Sequence, residues 1–354
     1  KTSLMKSIDE ITNVDARLSD MKRDNANIDG NTAMGSMLQI GTAGAKAYNA
    51  AYLLTPAQAK AYTEGDIHIH DFDFYALTTT CCQIDLLKLF HGGFSTGHGY
   101  LREPQGIASY AALAAIAIQS NQNDQHGGQS VPNFDYSMAP GVAKTYRKEY
   151  FKALAQYLRI STGMSQADAE ALCAAVKTDL SLTPSLSNME EYKEALAAYL
   201  PAHQKEHGFQ EIPADTALKA HAYAADTAYA ETDKATYQAM EAFVHNLNTM
   251  NSRAGAQVPF SSVNYGTDTS PEARMVIRNL LSATDAGLGD GETPIFPVQI
   301  FKVKEGINYN PGEPNYDLFQ QAIATSAKRL FPNFSFLDAP FNLQYYKPGD
   351  YNSE

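Results

Sequence analysis

Two histidines one residue apart, His68-x-His70, precede an adjacent cysteine pair, Cys81-Cys82, by eleven residues. Imidazoles ligate metals or move protons, and a thiolate adds a third ligand or carries redox and radical work. The spacing is neither CxxC nor HExxH, which favours histidines held by hydrogen bonds in a core, or a non-metal site in which a cysteine does redox or radical work, over a metal site. A second polar concentration runs from Ser120 to Gln129 (SNQNDQHGGQ). Its amides offer uncharged donors and acceptors suited to sugar hydroxyls or a base, yet amides and glycines also end helices and turn the chain. Gly92 to Gly99 (GGFSTGHG) matches neither a dinucleotide fingerprint nor a Walker loop and reads as a flexible loop. No Gly-x-Ser-x-Gly elbow occurs, and Cys173, set among Ala and Leu, reads as a small core residue.

These residues need elements to hold them. Asp66 to Leu77 alternates Ile67, Ile69, Asp71 and Asp73 with His68, His70, Phe72 and Phe74, which predicts a strand with both histidines on one face. Thr78 to Cys82 continues as extended chain, where Cys81 and Cys82 point to opposite faces. Upstream, Ser7–Leu18 and Thr32–Leu54 read as helices. Thr55-Pro56 opens a third that stops at Gly65. Downstream, Ile107–Gln119 is apolar all round and predicts a buried helix. Val142–Leu158 is amphipathic through Tyr146, Tyr150, Phe151, Leu154 and Leu158, and Ser165–Lys177 carries a capping pattern. Residues 184–213 read as loops around one short helix. Asp215 is placed to cap a long helix to about Asn251. Strands over Val258–Tyr265 and Ile295–Val303 flank a Ser270-Pro271 helix reaching Ala283 and the Gly287–Gly291 turn. Asn315–Leu330 reads as helix and the last twenty residues as loop. Interleaved helices and strands without a linker or repeat predict an α/β fold.

The chain has 354 residues, net charge −12, 44% hydrophobic and 19% charged residues, and three cysteines. That length buries a large core, and the longest apolar run, Ala108 to Ile118, is too short for a membrane span. Few cysteines and no signal-peptide h-region point to a reducing cytoplasm. The acidic balance argues against direct nucleic-acid binding.

Several blocks, in order, resemble the anaerobic (class III) ribonucleoside-triphosphate reductases of the glycyl radical enzyme superfamily. They are Lys22–Gly35 (KRDNANIDGNTAMG), Gly65–Asp71 (GDIHIHD), Thr78–Gln83 (TTTCCQ), Gly93–Gly99, Gln119–Gln129, Val258–Gly266 (VPFSSVNYG) and Gly287–Pro297. The resemblance implies part of a ten-stranded α/β barrel built from two parallel five-stranded halves, in a homodimer. Residues 1–64 would be a helical amino-terminal segment, and 65–354 the first part of the barrel. The implied reaction reduces a ribonucleoside triphosphate at C2′. A glycyl radical, installed by a radical-SAM activating enzyme, oxidises a finger-loop cysteine to the thiyl that abstracts the 3′ hydrogen. A second cysteine, Cys81 or Cys82 with Cys81 preferred, then acts with formate as the reductant, and His68 serves as a polar or proton-handling partner.

The same resemblance puts His70, Asn121, Gln125, His126, Ser262 and Asn264 near substrate. It points to Glu103, Gln119, Lys144 and Lys148 for an allosteric dNTP or ATP effector. The family's finger-loop block is expected beyond Glu354, with the glycyl radical domain and a structural zinc site further on, and the ATP-cone before Lys22. No metal is expected within this chain. Two other readings stay open: a metal-dependent hydrolase on His68, His70 and a cysteine, and a catalytically inactive effector-binding or assembly fragment.

Overall fold

The computed structural model describes residues 2–12, 24–25, 28–29, 32–207, 212–253 and 257–353. The amino-terminal part is helical: α1 (Ser3–Thr12), α2 (Ala33–Tyr52) and α3 (Pro56–Glu64). Residues 13–18 of the first expected helix, and much of the Lys22–Gly35 block, lie outside the described residues. Helix α3 starts as its sequence predicts. Thr55 accepts from the Gln58 amide, Gln58 returns a bond to the Thr55 amide, and Pro56 takes the first turn. Gly65 ends it at φ 82°.

The next two helices are α4 (Leu86–Phe90) and α5 (Ile107–Asp124), separated by a two-stranded ribbon pairing Phe94–Ser95 with Tyr100–Leu101. Then come α6 (Phe134–Thr162), α7 (Gln166–Asp179), α8 (Met189–His207) and α9 (Ala214–Thr249). The carboxy-terminal part holds α10 (Pro271–Ala286), α11 (Tyr316–Arg329) and the short α12 (Pro340–Leu343). Among them run five strands: β1 (Cys82–Gln83), β2 (Gln129–Val131), β3 (Ser261–Tyr265), β4 (Val298–Val303) and β5 (Asn333–Phe336). These form one sheet in chain order, and every pair is parallel. The α/β expectation therefore holds. The described residues make an open five-stranded sheet, and no closed ten-stranded barrel is formed by them.

Four local expectations fail for identifiable reasons. Residues 184–213 contain the 19-residue α8 rather than a short helix. Pro201 and the charged texture obscured a buried stripe of Tyr192, Leu196, Tyr199 and Leu200. The last twenty residues, expected as loop, take in the second half of β5, whose four residues are too few to show a period, and the short α12. Asp66–Leu77 is a chain of turns, not a strand. Pro213, not Asp215, is the residue preceding α9, and Asp215 sits in its first turn.

Two cores result. One lies between the sheet and α5, α10, the amino-terminal half of α6 and the carboxy-terminal half of α9. The other is built by the far halves of α6 and α9 with α7 and α8. Helices of 29 and 36 residues thus run through both. A buried carboxylate ties the first core together. Asp135, in the first turn of α6, accepts from the amides of Gly266 (2.8 Å), Thr267 (3.1 Å) and Asp268 (3.2 Å), where the chain leaves β3. Gly266 has φ 127°, and a Cβ there would lie 2.9 Å from the Lys302 carbonyl oxygen. In the second core, His221 Nδ1 sits 2.8 Å from the Tyr150 hydroxyl. Burial pushes the Tyr150 phenol far up, so it keeps its proton and donates to the imidazole.

Two outcomes follow for stability. Asp135→Ala leaves three buried amides unsatisfied and should cost about 3 kcal/mol or more in urea unfolding, with Asp135→Asn recovering part of it. Burial, assisted by Lys193, lowers the His221 pKa below its ordinary value of 6.5. The unfolded chain therefore takes up a proton at pH values where the native chain does not. Stability should fall as pH drops through 6.5 toward the folded pKa, by up to ~1.4 kcal/mol per pH unit from this group. Urea midpoints at pH 7.5 and 5.5, roughly a unit either side of an ordinary imidazole pKa, should converge on substitution of His221→Gln. An unchanged pH slope in that variant refutes the assignment.

Candidate active site

The turn segment between α3 and β1 builds one wall. Asp71 adopts φ 49°, and the Phe74 amide donates back to the Asp71 carbonyl at 2.9 Å. The alternating aromatics then go to different places. Phe72 is buried 4.6 Å from the Tyr62 ring, and its carbonyl accepts from Asn49 of α2. Phe74 stacks on His126, with centroids 3.9 Å apart and planes at 9°. His68 and His70 are consequently exposed on a turn, their rings 5.9 Å apart, and do not share a strand face. The Asp71 carboxylate lies between two imidazoles, 3.1 Å from His126 Nε2 and 3.4 Å from His70 Nε2. An ionised carboxylate only accepts, so the His126 nitrogen facing it carries the proton.

A cleft of about 670 Å³ opens here, lined by His68, His70, Asp71 and His126 with Lys46 of α2, Gln122 of α5 and Arg253. Its size suits a small ligand. Among the described residues no three His, Cys, Asp or Glu side chains gather as a metal site.

The cysteines sit beside this cleft, Cys82 as the first residue of β1 and Cys81 just ahead of it. Cys82, Gln129 and Ser261 are in register on β1, β2 and β3. Cys82 is half-buried, and its sulfur accepts from Asn121 Nδ2 at 3.2 Å; the same amide nitrogen reaches Gln129 Oε1. Cys81 is exposed. Its sulfur would lie 3.8 Å from a Cβ placed on Gly128, and its carbonyl accepts from Gln125 Nε2, which also bonds Thr79. Gly127 (φ 90°) is pressed against Thr80: a Cβ there would fall 1.3 Å from the Thr80 carbonyl oxygen. Only glycine fits.

Ser262 and Asn264 project from β3 on the face opposite the buried Ser261, Val263 and Tyr265. Asn264 Oδ1 is buried and without a hydrogen-bond partner. The four expected effector residues separate. Glu103 and Lys144 form an ion pair at 2.7 Å, and Lys148 is exposed one turn further along α6. Burial would lower the Lys144 pKa, but hydrogen bonds from its ammonium to Glu103 and Tyr110 raise it overall. Gln119 stands twelve residues from the start of α5, about 18 Å along the helix, and donates to Asn246 of α9.

Sequence reasoning missed Asp71, Gln122 and the two glycines as positioning groups. The glycines lay inside the flagged amide-rich run. Gln122 lay in the same run, and what singles it out there is the helical phase of α5, which turns it inward while Asn123 faces out.

The sequence model described as anaerobic ribonucleoside-triphosphate reductase matches residues 24–353. The chain belongs to that family. The reductase of Enterobacteria phage T4 is 27% identical over 277 residues, covering 77% of this chain and 35% of that protein. The Escherichia coli reductase is 26% identical over 292 residues, covering 82% and 32%. The chain thus spans about a third of the length of these curated relatives. The anaerobic ribonucleotide reductase of Thermotoga maritima, solved with dATP and CTP, superposes with a TM-score of 0.52. That match covers 95% of this chain and 48% of the other at 12% identity, and so speaks for the fold alone. The mixed α/β fold with its parallel sheet is similar to that of the anaerobic ribonucleotide reductase.

The thiols should react in a fixed order. Cys81 is exposed, Cys82 half-buried, and burial pushes the Cys173 thiol up to about 12. Alkylation mapped by mass spectrometry should label Cys81 first and Cys173 last. Equal rates at Cys81 and Cys82 contradict the geometry.

Proposed function

We propose that this chain forms part of an enzyme that reduces ribonucleoside triphosphates to deoxyribonucleoside triphosphates at C2′ by thiyl-radical chemistry. The observation that carries this reading is the exposed Cys81 thiol, at the edge of a parallel sheet whose family is that of the anaerobic reductases. A glycyl radical outside this chain supplies the oxidising equivalent. Cys81 delivers a hydrogen atom toward C2′ as the 2′ hydroxyl leaves as water, and oxidation of formate to carbon dioxide supplies the two electrons.

Other residues take supporting roles. The orphaned Asn264 Oδ1 is an acceptor available to a ribose hydroxyl, with Ser262 beside it. His126 and His70, joined through Asp71, handle protons near the substrate, with His68 beside His70 in the same lining. Asn121 and Gln125 hold the cysteine strand rather than the substrate. The five parallel strands make one half of a ten-stranded barrel. Glu103, Lys144 and Lys148 contribute to a dNTP or ATP effector site at a homodimer interface. The partner that installs the radical is a radical-SAM activating enzyme, and the compartment is the cytoplasm. Among the described residues no helix is long and apolar enough to cross a membrane. A metal-dependent hydrolase on His68, His70 and a cysteine finds no support in the geometry.

The test uses the complete reductase containing this chain, activated anaerobically and assayed for deoxynucleotide formation from CTP. Cys81→Ser should abolish product while Cys82→Ser retains most of it. Product formation by Cys81→Ser, or its loss in Cys82→Ser alone, overturns the assignment.

A further inference from the structure

Between the cleft and the cysteine strand stands one side chain that both share. Gln122 is 4% exposed and lines the cleft, yet its amide is fully engaged. Its Oε1 accepts from the Phe260 amide at 3.0 Å, just ahead of β3. Its Nε2 donates to the carbonyls of Gln125 (3.2 Å) and Gly127 (2.9 Å). Those carbonyls belong to the corner against which Cys81 rests. Gly127 abuts Thr80, the Gly128 carbonyl accepts from the Cys82 amide at 3.0 Å, and the Gln125 side chain holds the Cys81 carbonyl. The Phe260 ring completes the pocket, 3.4 Å from where a Gly128 Cβ would be.

We propose that Gln122 is a positioning residue for the Cys81 thiol, fastening α5, the Gln125–Gly128 corner and the approach to β3 into one frame. The importance of this frame for catalysis rests on the proposed reductase function; the geometry itself is tested without turnover. The amide is chemically specific here. It must accept on one side and donate on the other, so neither a carboxylate nor a hydrocarbon replaces it.

That specificity gives a reversible probe. In Gln122→Glu, the ionised carboxylate faces two carbonyl oxygens and loses both donor bonds. When protonated it again accepts from Phe260 and donates to Gly127. Burial and the facing carbonyls raise the pKa of such a carboxyl, which brings its titration toward neutrality. The titratable and charged groups around it are Asp124 and His126 from the same run, His68, His70, Asp71 and Asp73 from the turn, Lys46 from α2, Tyr62 from α3 and Arg253. They are common to both proteins, so the ratio of variant to native rates at each pH isolates the new carboxyl.

The experiment follows reaction of the native chain, Gln122→Glu and Gln122→Met with 4,4′-dithiodipyridine from mildly acidic to mildly alkaline pH. Each thiol is resolved by mass spectrometry. At high pH Cys81 of Gln122→Glu should react about fivefold faster than native, the change expected from losing roughly one net hydrogen bond. The ratio should return to native as pH falls. Gln122→Met should be faster at every pH, with Cys173 unchanged in both variants. A pH-independent ratio for Gln122→Glu overturns the proposal, as does an equal acceleration at Cys173, which signals general loosening. If Gln122→Met does not fold, the pH profile of Gln122→Glu decides alone. Inactivity of the complete enzyme with this profile intact would count against the reductase reading and not against the frame.

Discussion

A buried carboxylate is tolerated only where donors replace its water, and Asp135 meets that demand with backbone. Its Oδ2 takes amides from Gly266, Thr267 and Asp268, and the same corner is held from the other side. Asn308 donates to the Gly266 carbonyl, and Asn315 to those of Gly266 and Asp268. The exit of β3, the start of α6 and the approach to α11 are thereby fixed relative to one another. Because β3 is the central strand, its neighbours inherit that placement through the ladder. The opposite end of the same strand is held by Gln122, so β3 is pinned before its first residue and after its last.

From this frame the cysteine strand hangs by few bonds. β1 pairs over two residues only, and its position comes as much from side chains as from the ladder. Asn121 holds the Cys82 sulfur, Gln125 holds the Cys81 carbonyl, and Gly127 sets how closely the corner approaches Thr80. The amide-rich run, which forms the last turns of α5 and the corner after it, therefore has a structural reason. It supplies the donors and acceptors that a two-residue strand lacks, and it does so without charge beside a thiol.

Much of the fold was legible because its signals are local. The Thr55-Pro56 and Ser270-Pro271 starts appear as capping bonds, and the apolar face of α6 is the buried one; α5, read as buried all round, buries most of its length but exposes Ala108, Ala112 and Ile116 along one face. The turn at Asp66–Leu77 was not legible. Its two-residue alternation is real in the sequence, but Asp71 takes a left-handed conformation that no pattern announces, and Phe72 and Phe74 have different partners. Of the site, the residue types and the segment were readable; the pairings were not. His126 meets Asp71 across 55 residues, and Gln122 meets Phe260 across 138. Such bonds depend on the packing of α5 against the sheet, which is a tertiary fact.

The adjacent thiols at the entry to β1 have one more consequence. Because side chains alternate along a strand, sliding β1 by a single residue would exchange the two sulfurs, turning Cys82 outward and Cys81 toward Asn121. A protein with a lone cysteine would lose its thiol altogether in such a slip. Here the error would be chemically silent at first glance, a frame shift in space that leaves a sulfur at the mouth of the site. What forbids it is the fit of Gly127 against the Thr80 carbonyl, a contact with no room for an alternative alignment. The glycine thus acts as a proofreader, choosing between two identical letters by their place in the line.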